Sequence, residues 1–317
     1  MKYNNLKGSI ILGITAFIWG IAFVAQNGVS DTPPFLVNCL RSLISALFLL
    51  LIMLFRRKKE QKTLLFSNAQ DKKTALRGGL ICGIMLAVSV NFQQFGIALY
   101  QPGVAVEAHS GFITALYVVI VPIISMFTGK RPAARVWAAV GVSLIGFYLL
   151  CFSGGADGLY LGDLLVFFCA VSFSLHILSV DAYVEKVGGL RLSMLQFLVC
   201  GVISGVLSLI FELNSISLSG IISAAPQILY LGLVSSGIGY TLQIVGQRYA
   251  EPAVASLVMS MESVFAALGG WFVGNVLKIG EERTLSAPEL AGCLLVFAAI
   301  VLAQLPIGKK KSADAGQ

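Results

Sequence analysis

Apolar residues run through the chain in blocks of about twenty, the length a helix needs to cross a bilayer, and charge, proline or glycine separates one block from the next. The pattern predicts helices near residues 8–28, 34–55, 78–98, 103–128 and 133–152, then 160–180, 190–211, 222–246, 252–275 and 287–306. The first block follows Lys2 and Lys7 as a secretory signal would. It is longer than a signal's apolar core and nine further blocks follow it, so it reads as a retained first helix. The expected fold class is an all-α membrane protein of ten transmembrane helices.

Composition narrows the function classes. Of 317 residues 57% are apolar and 12% charged, with a mean hydropathy of +0.88, which no water-facing surface tolerates. Ten spans consume about 210 positions, leaving connections too short for a soluble catalytic domain. The six cysteines (Cys39, Cys82, Cys151, Cys169, Cys200, Cys293) lie inside apolar blocks without CxxC spacing and read as small packing residues. No metal or other cofactor is expected.

The net charge of +7 is a topology signal, since the basic residues are scattered over short loops and tails and no nucleic-acid-binding domain is formed. With the N-terminus in the cytoplasm, the inner segments hold Lys2 and Lys7, the run Arg56 to Lys59 with Lys62, and Lys72, Lys73 and Arg77. Lys130, Arg131, Arg135, Lys186, Arg191, Arg248 and Lys309 to Lys311 also fall inside. Outer loops keep only Lys278 and Arg283, and Arg41 lies within a span. This asymmetry places both termini in the cytoplasm, which requires an even number of spans.

The chain also repeats. Gly96-Ile97-Ala98-Leu99-Tyr100-Gln101-Pro102-Gly103-Val104-Ala105 aligns at an offset of 150 with Gly246-Gln247-Arg248-Tyr249-Ala250-Glu251-Pro252-Ala253-Val254-Ala255. Gln93 then meets Gln243 and Ser110 meets Ser260, while Gly8 meets Gly162 and Ala16 meets Ala170 at an offset of 154. Five helices per unit is an odd number, so the second unit is inserted upside down. The predicted organisation is two inverted five-helix repeats, 1–155 and 156–308, with a basic cytoplasmic tail at 309–317. Inverted repeats commonly serve alternating access, with the solute site near the midplane between them.

Several segments carry a resemblance. They are Ala16-Phe17-Ile18-Trp19-Gly20, the pair Leu40-Arg41, and Gly111-Phe112-Ile113-Thr114-Ala115-Leu116-Tyr117-Val118-Val119-Ile120-Val121-Pro122. In the second half they are Met261-Glu262-Ser263-Val264-Phe265-Ala266-Ala267, Gly280-Glu281-Glu282 and Glu289-Leu290-Ala291-Gly292. In this order the whole chain resembles the EamA-type members of the drug/metabolite transporter superfamily. The resemblance implies a bacterial inner-membrane carrier, of a group in which many members export amino acids, other metabolites or toxic compounds and some import. Many members place proline directly after the glutamate of helix 9; here Ser263 stands there, which removes the expected cause of a kink.

Ionisable groups inside spans are costly to insert and so mark candidate chemistry. Glu262 lies ten residues into helix 9, about 15 Å deep at 1.5 Å per residue, half of a ~30 Å hydrocarbon core. Val258, Met259, Phe265 and Ala266 share its face, so desolvation favours the neutral acid unless a cation is near. Its expected role is to couple transport to protons or to bind a substrate amine; the alternative is an acid held by a neighbouring helix. Glu107 and Arg41 enter from the outside at similar depths and are expected partners, as an outer gate or a static salt bridge. His109 and His176, both in spans, are candidate proton-path residues or satisfied interior histidines, though His109 faces away from Glu107.

Asn91, Gln93 and Gln94 in helix 3 and Tyr240, Thr241 and Gln243 in helix 8 face either a central cavity or neighbouring helices. Trp19 and Tyr117 are candidate walls for an apolar or cationic part of a solute. Pro122 and Pro226 are expected kinks.

The expected function is secondary transport of a small metabolite, an amino acid or related polar or amphipathic compound, by alternating access with protons as the coupling ion. Import or exchange on the same fold is the alternative. A membrane-embedded enzyme is the rival from another class, but GxSxG and HExxH are both missing from the sequence. A channel would need a polar ring contributed by several subunits, and there is no GxxxxGK[ST] loop for nucleotide hydrolysis. The expected partners are the solute, the lipid bilayer and protons, with the protein a monomer or a homodimer.

Overall fold

The computed structural model describes residues 5–29, 31–60, 66–101, 106–127, 129, 131–152, 160–278 and 285–304. Among these the chain is helical throughout: α1 (Asn5–Asn27), α2 (Pro34–Glu60), α3 (Ala69–Ala98), α4 (Val106–Ala115), α5 (Tyr117–Phe127), α6 (Ala134–Phe152), α7 (Leu161–Val187) and α8 (Gly189–Phe211). There follow α9 (Leu218–Ser223), α10 (Ala225–Leu229), a π-helical segment (Tyr230–Tyr240), α11 (Thr241–Gln247), α12 (Pro252–Met259), α13 (Glu262–Asn275) and α14 (Ala287–Gln304). Eight of the resulting stretches are long and apolar enough to cross a membrane. Ala134–Leu149 and Ala287–Ala303 are shorter apolar helices of the same character.

The bundle is apolar outside and polar within. Phe127 is 86% and Leu294 70% exposed, whereas Asn38, Gln94, His176 and Gln196 are fully buried. Only a hydrocarbon solvent makes that arrangement favourable, because the outward side chains lose nothing to lipid and the inward polar groups find partners.

Helix bounds depart from the apolar pattern where a polar stretch continues a helix beyond the bilayer. α3 begins at Ala69 and not near 78 because Asn68 caps it, its side chain accepting from the Asp71 N–H at 2.8 Å. α7 likewise runs on through Asp181, Glu185 and Lys186 to Val187. The predicted helix 4 is two helices broken at Leu116, with Pro122 inside the second; its predicted start at 103 lies outside the described residues. The predicted helix 8 is assembled from α9, α10, the π segment and α11, with Pro226 at the start of α10. The predicted helix 9 is interrupted at Ser260 and Met261 even though Ser263 replaces the proline.

α3 packs along α7 and α8, α2 along α8 and the π segment, and α1 against α13, α11 and the π segment. α6 and α14 form a pair at the side of this group. Close approach needs glycine at the crossing of α1 and α13, where a Cβ on Gly20 would overlap Phe265 and come within 2.7 Å of its backbone carbonyl carbon. Cys39, Cys82, Cys169 and Cys200 are free thiols; the side chain of Cys151 is outside the described set.

Candidate functional site

Between these helices lies a narrow cleft. α1 contributes Trp19, Ala22, Phe23 and Gln26; α2, α3, α4 and α5 contribute Arg41, Gln93, Thr114 and Tyr117. From the second half come Phe173 and Ile177 of α7, Ser235 and Tyr240 of the π segment, Gln243 of α11 and Glu262 of α13. Both halves of the chain therefore build one site.

Glu262 is 3% exposed, and Tyr117 donates its hydroxyl proton to Oε1 at 2.8 Å. Each partner in this bond follows directly on a helix interruption, Leu116 before Tyr117 and Ser260-Met261 before Glu262. The Ser263 hydroxyl spans the same crossing, donating to the Gly111 carbonyl at 2.9 Å and also approaching the Ser260 carbonyl at 3.1 Å. Serine thus ties the interruption to α4.

Aromatic rings and amides complete the walls. Trp19 and Tyr240 lie 4.6 Å apart between centroids, and the Trp19 indole N–H donates to the Ser235 carbonyl at 3.3 Å. Gln26 donates to Gln93 at 3.1 Å and Gln94 at 3.2 Å, and Gln93 donates to Thr114 at 3.3 Å. Gln243 is 1% exposed and its carbonyl oxygen accepts no hydrogen bond.

Of the residues singled out from the sequence, Trp19, Arg41, Gln93, Tyr117, Tyr240, Gln243 and Glu262 converge on this cleft. The expected pairing of Arg41 with Glu107 is not formed. Arg41 donates to Ser236 at 3.1 Å and Ser235 at 3.3 Å, while Glu107 accepts from Asn27 at 2.9 Å. Similar depth does not imply a shared face: Arg41 turns inward to the π segment and Glu107 turns to the end of α1.

Asn91 clamps three helices, accepting from Asn38 at 3.0 Å and donating to Ala87 at 2.7 Å and Ser204 at 2.9 Å, away from the cleft. His176 is fully buried, hydrogen-bonded to Gln196 at 3.0 Å, with its ring 6.1 Å from that of Tyr240. His109 has its Nδ1 3.6 Å from Asp163, whose Oδ1 also accepts from Tyr100 at 2.6 Å. This cluster joins α4 and the end of α3 to the start of α7, outside the cleft.

Gln26, Thr114, Phe173 and Ser235 were missed, as was Asp163. Polarity within an apolar run was a usable signal for Gln26 and Ser235, but nothing in sequence separates Phe173 from its lipid-facing neighbours Phe167 and Phe168. Those two are 42% and 45% exposed against 7% for Phe173.

Comparison with known proteins agrees with a transporter. The EamA-like transporter family matches residues 6–152 and again 160–305. An uncharacterized transporter of Archaeoglobus fulgidus is 25% identical over 310 residues, covering 96% of this chain and 88% of its own. The uncharacterized transporter YoaV of Bacillus subtilis is 23% identical, covering 95% and 99%, and the uncharacterized inner membrane transporter YedA of Escherichia coli K12 is 26% identical, covering 90% and 87%. A solved crystal structure superposes with a TM-score of 0.70 at 19% identity over 93% of this chain and 96% of that one, a likeness of fold. With both halves matched to one family over nearly their full length, this multi-pass membrane protein belongs to the EamA-like transporter family.

Proposed function

We propose that the chain is a secondary carrier that exports a small metabolite, an amino acid or related amphipathic compound, by alternating access coupled to protons through Glu262. The observation that carries this reading is the Tyr117–Glu262 bond inside a cleft walled by both halves of the chain. A carboxyl group at that depth is costly and needs a role, and a site walled by both halves is where alternating access between inverted repeats places its solute. The two consecutive family matches support a duplicated unit, and the repeat at an offset of 150 with the charge asymmetry supports five helices per unit, inverted, with both termini cytoplasmic in a bacterial inner membrane.

The test compares metabolites inside and outside cells that overproduce the protein, its Glu262→Gln variant or neither. A compound enriched outside only with the unmodified protein is the expected result and names the solute. Proteoliposomes then drive that compound with a pH gradient, and Glu262→Gln is expected to lose the gradient dependence while remaining folded. Full gradient-driven transport by that variant removes Glu262 from the coupling.

A further inference from the structure

Arg41 presents an unusual charge balance. A guanidinium stays protonated in a protein interior, and this one is 3% exposed. Its hydrogen-bond partners are neutral: Nε donates to the Ser236 hydroxyl and Nη2 to the Ser235 hydroxyl. Among the described residues Nη1 is buried without a hydrogen-bond partner, and no carboxylate forms an ion pair with Arg41.

The two serines engage Nε and one N–H of Nη2, which leaves the unpartnered Nη1, beside the second N–H of Nη2, as the open side of the guanidinium. Arg41 lines the cleft, and Ser235 is held from behind by the Trp19 indole bond to its carbonyl. The guanidinium is thus fixed in orientation before any ligand arrives. Burying a charge without a counter-charge is expensive, and a free guanidinium fork fits the two oxygens of a carboxylate.

We propose that the free fork of Arg41 is an anion-binding subsite of the cleft and that the transported solute presents a carboxylate to it. A phosphate dianion fits less well, because one guanidinium neutralises a single charge and Glu262 lines the same small space. The rest of the solute lies against Trp19, Phe23, Phe173 and Tyr240, an apolar and largely aromatic wall. Glu262 has one oxygen engaged by Tyr117, and Gln243 offers an unpartnered carbonyl oxygen, so both can accept from an ammonium or hydroxyl group on the same molecule. This inference rests on the cleft being the solute's site.

The full-length protein in lipid nanodiscs is titrated calorimetrically with three probes of one skeleton: 3-phenylpropionate, phenethylamine and L-phenylalanine. The two carboxylates are expected to bind at least about tenfold more tightly than the amine. Arg41→Gln is expected to weaken the carboxylates by about ten- to a hundredfold, and Arg41→Lys, which keeps the charge but loses the fork, by an intermediate factor. Should Arg41→Gln not fold, the acid-over-amine preference of the unmodified protein and its reduction in Arg41→Lys decide the matter. Binding of the amine without the acid overturns the anion subsite while leaving the cleft a binding site. Equal affinity of the acid for both arginine variants and the unmodified protein overturns it too, and failure of all three probes overturns both readings.

Discussion

The Tyr117–Glu262 bond concentrates what a single side chain contributes. Tyr117 is buried and its hydroxyl has one partner, so the ring packs the cleft while the oxygen orients the carboxyl. Tyr117→Phe separates the two. The variant is expected to fold with a loss of about 1–2 kcal/mol, because one buried acceptor loses its donor. The pH profile of transport is expected to move relative to the unmodified protein, which loss of packing alone does not produce. Thermal unfolding in detergent and pH-dependent uptake into proteoliposomes read the two effects, and an unchanged profile confines Tyr117 to a wall. Glu262 itself was legible from sequence because an acid ten residues into an apolar run has no inexpensive explanation. Its donor was legible only as an aromatic residue in a span, since nothing in one sequence shows which face of α5 meets α13.

At the scale of elements, α1 meets α13 with backbones in near contact, and that approach depends on Gly20. Gly20→Val places two methyl groups where Phe265 stands, and overpacking of this kind costs about 1–3 kcal/mol. Because α1 carries four cleft residues, the displacement is expected to lower transport more than stability; Gly13→Val, at a glycine with open space around it, serves as the control and is expected to leave both unchanged. Equal behaviour of the two variants in unfolding and transport assays places the contact outside the working parts of the protein. Apolar blocks located the spans, yet they understated helices that continue into polar residues, as α3 does from Ala69 through Asp71, Lys72 and Lys73. Nor does apolarity report how a helix is wound. The run from Tyr230 to Tyr240 lies inside Ala225–Gln247, a stretch apolar and long enough to cross a bilayer, while its π-wound residues meet partners elsewhere in the chain: Arg41 on two serine hydroxyls, and Thr15 donating to the Gly239 carbonyl at 3.4 Å.

Across the whole molecule, polar contacts divide into those that bind a unit together and those that close the cleft. At one end of the bundle Arg191 of α8 meets Asp71 of α3 through paired bonds of 2.7 and 2.8 Å. At the other end Glu212, just beyond α8, accepts the N–H groups of Phe35 and Leu36 in the first turn of α2 at 2.8 and 2.9 Å. Charge opposite a helix N-terminus is favourable there, so α8 is tied to α3 at one end and to α2 at the other, and the three form one body. Gln26 belongs to α1 and reaches across the cleft to Gln93 of this body. On the proposed alternating access, the second contact is expected to break while the first persists. With cysteine introduced at 71 and 191, a reducible bifunctional cross-linker is expected to leave transport intact; with cysteine at 26 and 93 it is expected to stop transport, and a reductant to restore it. Flux of the identified solute into proteoliposomes, before and after reduction, measures both pairs. Loss of transport in the first pair shows that α3 and α8 slide past each other during the cycle, and transport through a linked 26–93 pair shows that the cleft opens along another seam.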